Sequence, residues 1–163
     1  MKNIYFLGMP TQAKGIEDFY KLATNIKEAN FFWFCFKIDK ETKEKYKEIN
    51  FIIGLSNEEL KTKVREEMDL FINCSHFEGF SLPIAEAILL EKAVISYKLP
   101  EIEQVYEDNI EYVKRFDLEE YENKIKGFIS KNDYNRDKEK AKKFILNNYS
   151  PEVVSKKLLK IIL

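Results

Sequence analysis

A chain of 163 residues, 45% of them apolar, can bury one sizeable core and is too short for two independent ones, so a single domain is expected. With 27 basic and 28 acidic residues the net charge is -1, which gives no broad electrostatic basis for binding nucleic acid or an anionic membrane surface. The longest apolar run, FFWFCF at 31–36, falls far short of the ~20 residues of a membrane span, and no signal-peptide core opens the chain.

The first apolar run, NIYFLG (3–8), reads as a strand and leads into the loop GMPTQAKG (8–15). In GIEDFYKLATNIKEA, Phe19, Leu22, Ala23 and Ile26 follow the i, i+3, i+4, i+7 spacing of a helix with one apolar face. The runs FFWFCFKI (31–38) and INFIIG (49–54) come next. SNEELKTKVREEMD then opens with a capping box from Ser56 to Glu59. DLFINCS (69–75) leads into the loop CSHFEGFSLP (74–83) and a helix beginning near Ser81 to Pro83, and AVISY (93–97) and, weakly, EYVK (111–114) complete the strands. The runs are continuous rather than alternating, as strands buried on both faces of a parallel sheet are. Strand followed by helix, repeated, predicts an α/β fold: a Rossmann-like doubly wound parallel sheet of about six strands. After Phe116 the pattern predicts a helical C-terminal tail in three stretches, 117–131, 133–148 and 150–162, the last with Ser150 as cap and Pro151 at its first position. RDKEKAKK (136–143) reads as a solvated helix face. Cys35 and Cys74 lie in apolar runs outside any C-x-x-C or His/Cys metal spacing, so reduced core thiols in a cytosolic, soluble chain are expected.

An open sheet of this class binds ligands beyond the carboxyl ends of its strands, where the strand order reverses; for the order 3-2-1-4-5-6 that crevice lies between strands one and four. The loops 8–15 and 74–83 therefore form the expected site. The helix entered at Ser81 to Pro83 would face the crevice with free N–H groups and its positive dipole end, which favours a phosphate. Gly8 lets the first loop turn, and Lys14 places a cation at the mouth of the first helix, where it serves either an anion or the plain surface. Glu86 lies a turn into its helix; from spacing alone it suits equally a ribose diol and the dipole of the helix start.

EGFSLPIAE resembles the E-x7-E signature of retaining glycosyltransferases of the GT-B fold, particularly glycosyltransferase family 4, formed here by Glu78 and Glu86. FLG…KG is similar to the family's G-R-x-x-x-x-K-G loop, IIGLSNEEL to its third-strand turn and YSPEVVSKKLL to its terminal helix. The likeness covers the C-terminal, donor-binding half of such an enzyme and implies a nucleotide-diphosphate sugar as substrate, with no metal or other cofactor. By this resemblance Glu78 contacts donor-sugar hydroxyls, Glu86 the ribose and Lys14 the diphosphate. Backbone amides around Phe80, Ser81 and Leu82 receive sugar or phosphate oxygens. No D-x-D metal motif occurs in the sequence.

The pattern also departs from the family. Met9 stands where the family has an arginine, and Leu99 and Pro100 replace a Gly-Gly turn, although Glu103 falls where the family has an acid. His76, the only histidine, precedes Glu78 in the key loop as a possible ligand neighbour, and Tyr97 and Lys98 end the fifth strand close by. Two readings follow: the donor-binding half of a transferase in glycan or cell-surface polysaccharide synthesis, partnered by an N-terminal acceptor domain in cis or trans, or a degenerate, non-catalytic nucleotide-sugar-binding or interaction module. Apolar residues of the last helix, Val153 and Val154 among them, would want cover from the chain's own domain or through self-association.

Overall fold

A computed structural model describes residues 1–131 and 137–162. Six parallel strands, β1 (Lys2–Leu7), β2 (Ala29–Cys35), β3 (Asn50–Ile53), β4 (Leu70–Asn73), β5 (Ala93–Tyr97) and β6 (Glu111–Val113), form one sheet in the order β3-β2-β1-β4-β5-β6. The strand order reverses between β1 and β4, as the doubly wound reading requires. The central strands are buried on both faces: every residue of β4 and of β5 is in the core, which is why their sequences run apolar without alternation.

The connections are α1 (Ile16–Asn25), α2 (Lys40–Lys45), α3 (Asn57–Glu67), α4 (Leu82–Leu89) and α5 (Pro100–Tyr106), followed by the tail helices α6 (Leu118–Lys131), α7 (Lys138–Tyr149) and α8 (Pro151–Ile162). The capping box forms as expected, with Ser56 and Glu59 exchanging side-chain and backbone hydrogen bonds at the start of α3. The tail helices also appear, α7 beginning at Lys138 after an Asp137 cap; the part of the expected 133–148 stretch before residue 137 lies outside the described residues. Two short helices were not expected. The segment KETKEK of α2 buries nothing and so carries no apolar period, and α5 is seven residues long. Asp39, whose carboxylate accepts from the amide of Thr42, and Pro100 at a first-turn position are the signals that mark their starts.

An aromatic cluster fills the centre between sheet and helices. The rings of Phe6 and Trp33 lie 4.4 Å apart, Phe6 stacks on Phe71 at 5.8 Å, and Phe19 of α1 meets Trp33 edge-on at 5.1 Å. Trp33 satisfies its indole by donating to the carbonyl of Gly8 at 2.8 Å, which fixes the end of β1 where the first site loop begins. From α6, the buried Tyr121 hydroxyl donates to the carbonyl of Ile95 at 2.8 Å and anchors the tail against β5. Cys35 and Cys74 are free and buried, and burial pushes both thiols up. In the tail α7 packs on α4 and α8 on α7, while Val154 and Leu159 of α8 stay exposed.

Candidate functional site

Gly15 is the point where the first loop touches the fourth strand. It takes the left-handed conformation, φ 73 and ψ 33, and a Cβ there would stand 2.0 Å from the carbonyl oxygen of Cys74. Only glycine allows this approach, and it brings the loops after β1 and β4 together. The amide of His76 then donates to the carbonyl of Ala13 at 2.8 Å, so the two loops are sewn by backbone. Above that seam Lys14 Nζ donates to Glu78 Oε1 at 2.6 Å, and the Glu78 side chain keeps only 10% of its accessible surface. The two residues expected to meet different parts of a ligand meet each other across the mouth of the crevice.

The entry to α4 is an unusual cap. Ser81 adopts φ 53 and makes no side-chain cap bond. Such a conformation costs a non-glycine residue about 1–2 kcal/mol, and Tyr106 holds it in place: its hydroxyl lies 2.7 Å from the Phe80 carbonyl and 3.0 Å from that of Ser81. The Phe80 ring packs against Tyr106 and Tyr149. With both carbonyls turned toward Tyr106, the amides of Phe80, Ser81 and Leu82 have no acceptor among the described residues. Leu82 itself is exposed.

Glu78 and Glu86 do not share a cavity. Glu78 lines an open cleft of about 480 Å³ between the loops after β4, β5 and β6, with His76, Phe77, Leu99 and Arg115. Glu86 lines a cavity of about 130 Å³ on the far side of the α4 start, with Tyr5, Asn57, Lys61 and Pro83. Burial pushes the Glu86 carboxyl above its usual range, and the Lys61 ammonium partly offsets this. A carboxylate that makes no hydrogen bond or ion pair among the described residues on one side, and a carboxylate already paired with an ammonium on the other, suit an elongated ligand bearing hydroxyls at both ends and an anion in between.

The remaining expected residues sort by position. Gly8 lies at the base of the first loop, its amide donating to the Phe34 carbonyl at 3.0 Å. Met9 is 42% exposed beyond it. Glu103 is paired with Lys98 at 2.8 Å and is not among the residues lining the cleft with Glu78. His76 lines the cleft, its Nε2 3.1 Å from Asp18 Oδ2, and Tyr97 donates to the same oxygen at 3.0 Å. Sequence reasoning missed Asp18, although its position four before Leu22 puts an acid on the apolar face of α1, which was the available signal. It also missed Arg115, which follows the short strand β6 and whose guanidinium lies 4.9 Å from the ring centroid of Phe77 and 4.5 Å from that of Phe116. Among the described residues no group of three or more His, Cys, Asp or Glu side chains is placed to hold a metal ion, and no helix is long and apolar enough to cross a membrane.

The sequence pattern of the family described as "Glycosyl transferases group 1" matches residues 2–151. No curated protein matches the chain. Among solved structures, sucrose-phosphate synthase from Thermosynechococcus elongatus is similar with a TM-score of 0.84 at 15% identity, over 99% of this chain and 44% of that one. A glycosyltransferase from Rickettsia africae gives 0.82 at 19% identity, covering 99% of this chain and 47% of its own. Anabaena Alr3699/HepE, solved in complex with UDP, gives 0.81 at 13% identity, covering 98% and 48% respectively. The chain thus spans less than half the length of these three structures, and at such identities the likeness is one of fold.

Proposed function

Because the chain belongs to the group 1 glycosyl transferases, we propose that it is the donor-binding half of a retaining, metal-independent glycosyltransferase. On this reading it holds a nucleotide-diphosphate sugar and works in the cytoplasm with an N-terminal acceptor domain, in cis or in trans, in glycan or cell-surface polysaccharide synthesis. The observation that carries the reading is the placement of Glu78 and Glu86 in separate cavities on either side of the α4 start. The ribose lies against Glu86, whose carboxylate accepts from the two hydroxyls of the diol and so recovers part of its desolvation cost. The sugar lies in the larger cleft against Glu78.

The diphosphate bridges the two, over the amides of Phe80, Ser81 and Leu82. Lys14 has three N–H donors and spends one on Glu78, leaving others for a phosphate oxygen. When the bond from the anomeric carbon to the diphosphate breaks, the electron pair leaves with the phosphate. Lys14 and the helix start stabilise that charge where it develops. Neither glutamate acts as a covalent nucleophile. The acceptor domain aligns the incoming hydroxyl and excludes water.

Met9 supports a second reading, a binding module without transfer activity, because it removes one cation from the diphosphate region. Exposed Val154 and Leu159 on α8 offer a contact to the acceptor domain or to a second copy. A thermal-shift panel of UDP-, GDP- and ADP-sugars tests donor binding. A ligand at a hundred times its Kd stabilises the native state by about 2.7 kcal/mol, roughly 5–10 °C for a domain of this size. No shift with any of the three at millimolar concentration would remove the donor-site reading. Donor binding without acceptor-dependent release of nucleoside diphosphate, in the presence of the acceptor domain, would select the binding module.

A further inference from the structure

Arg115 has no role in the proposed donor site, yet it faces the same cleft as Glu78. Glu78 already holds Lys14, Asp18 is bonded to His76 and Tyr97, and Glu103 holds Lys98; Glu101 also lines the cleft, and Arg115 makes no ion pair with it or with any other acid among the described residues. Its Nε is buried and has no hydrogen-bond partner among the described residues. A guanidinium left unpaired in a partly enclosed site gains strongly from an oxyanion that reaches it, because its planar fork fits a carboxylate or a phosphate with two parallel hydrogen bonds.

The segment that carries Arg115 is rigidly built. Phe116 is held at φ 66, left-handed for a residue with a side chain. On one side the Lys114 amide donates to Glu120 Oε2 at 2.8 Å; on the other the Asp117 amide donates to the Lys114 carbonyl at 3.0 Å. Asp117 Oδ1 in turn accepts from the Glu120 amide at 2.9 Å. The guanidinium lies against the Phe77 and Phe116 rings, and Phe116 meets the His76 ring edge-on at 4.8 Å, so aromatic contacts fix the cation beside the loop that bears Glu78. An arginine needed only for solubility requires neither the tied turn nor the two rings. Neutral sugar hydroxyls do not require a fixed cation either.

We propose that Arg115 is an anion receptor on the sugar side of the cleft, and that the substrate portion entering between the loops after β4, β5 and β6 carries a carboxylate or phosphate within its reach. The proposal rests on the donor-site reading for the identity of the ligand, but not for the presence of the anion. Two sources share this chemistry, an acidic donor sugar such as a uronate and the donor's own diphosphate. Calorimetric titration of UDP, UDP-glucose and UDP-glucuronate into wild type, Arg115→Gln and Arg115→Lys separates them. With an acidic sugar, Arg115→Gln weakens UDP-glucuronate about tenfold or more and leaves the other two within about twofold, Arg115→Lys falling between. With the diphosphate, all three weaken together.

A second measurement does not depend on the nucleotide. The chain has three arginines, Arg65, Arg115 and Arg136, so its Nε–H spectrum is simple, and Arg115→Lys identifies the relevant resonance. That resonance should move on titration of wild type with inorganic pyrophosphate or free glucuronate. A wild type that binds none of the three nucleotides, while this resonance moves, removes the uridine donor and leaves the anion receptor standing. The proposal is overturned if all affinities in Arg115→Gln stay within about twofold of wild type and neither anion shifts the Nε–H signal.

Discussion

Replacing Gly15 by alanine tests the junction on which both fold and site depend. A methyl group there would lie 2.0 Å from the carbonyl oxygen of Cys74, 2.6 Å from its carbonyl carbon and 2.8 Å from its Cβ. These atoms cannot rotate aside: two belong to the backbone at the end of β4, and Cys74 is fully buried. Gly54 is the internal control, because it has nearly the same φ, 71 against 73, and a Cβ there meets nothing within 4 Å. Gly54→Ala should therefore cost only the left-handed conformation, about 1–2 kcal/mol. Gly15→Ala adds the displacement of a packed strand end, for which overpacking in a core costs about 1–3 kcal/mol and here belongs at the upper end, so about 3–5 kcal/mol in total. Urea unfolding curves of the two variants, fitted with a common slope, give the difference directly. Moving the first loop off Cys74 also carries Lys14 away from Glu78, so nucleoside diphosphate binding should weaken in Gly15→Ala and not in Gly54→Ala. Equal stability losses for the two glycines would refute the close-contact argument.

Three other perturbations bear on the site. Met9→Arg should tighten nucleoside diphosphate binding by restoring a cation near Lys14; an unchanged or weaker Kd by calorimetry would mean that the first loop is misassigned or that another basic group already fills the space. Tyr106→Phe should lose about 1–2 kcal/mol of stability in urea, because the carbonyls of Phe80 and Ser81 lose their shared donor, and the effect should disappear if that strained cap is held by other means. Glu86→Gln should raise the apo Tm at neutral pH: a carboxylate whose pKa is raised by burial is costly to ionise in the native state above its folded pKa, and the cost vanishes as pH falls below the ordinary value of 4.5. The gap between variant and wild type should therefore close on acidification through that range, and a gap that widens in acid would reverse the assigned cause.

The centre of the sheet was legible in the sequence because β4 and β5 are buried on both faces, so the runs at 69–75 and 93–97 are short, continuously apolar and flanked by turns. The order of the strands followed from a general topology rather than from any residue. The two acids were legible as a spaced pair. Their separation into different cavities was not, because it depends on the left-handed turn at Ser81, and serine does not announce that conformation. Lys14 and Glu78 are 64 positions apart in sequence, and only the approach of Gly15 to Cys74 makes them neighbours. Arg115 was hidden for a related reason: β6 is three residues long, and the turn that aims the side chain is set by Glu120 and Asp117 reaching back from the following helix. Short tied segments of this kind have no periodicity to read.

In the proposed donor site Glu86 faces the nucleoside and Glu78 the sugar. Calorimetric titration of a nucleoside diphosphate and its sugar conjugate into Glu86→Gln and Glu78→Gln tests it most directly. Glu86→Gln should weaken both ligands alike, by roughly 1–3 kcal/mol, whereas Glu78→Gln should weaken mainly the conjugate. Both variants binding both ligands as wild type does, or Glu78→Gln weakening the bare diphosphate as much as the conjugate, would contradict it.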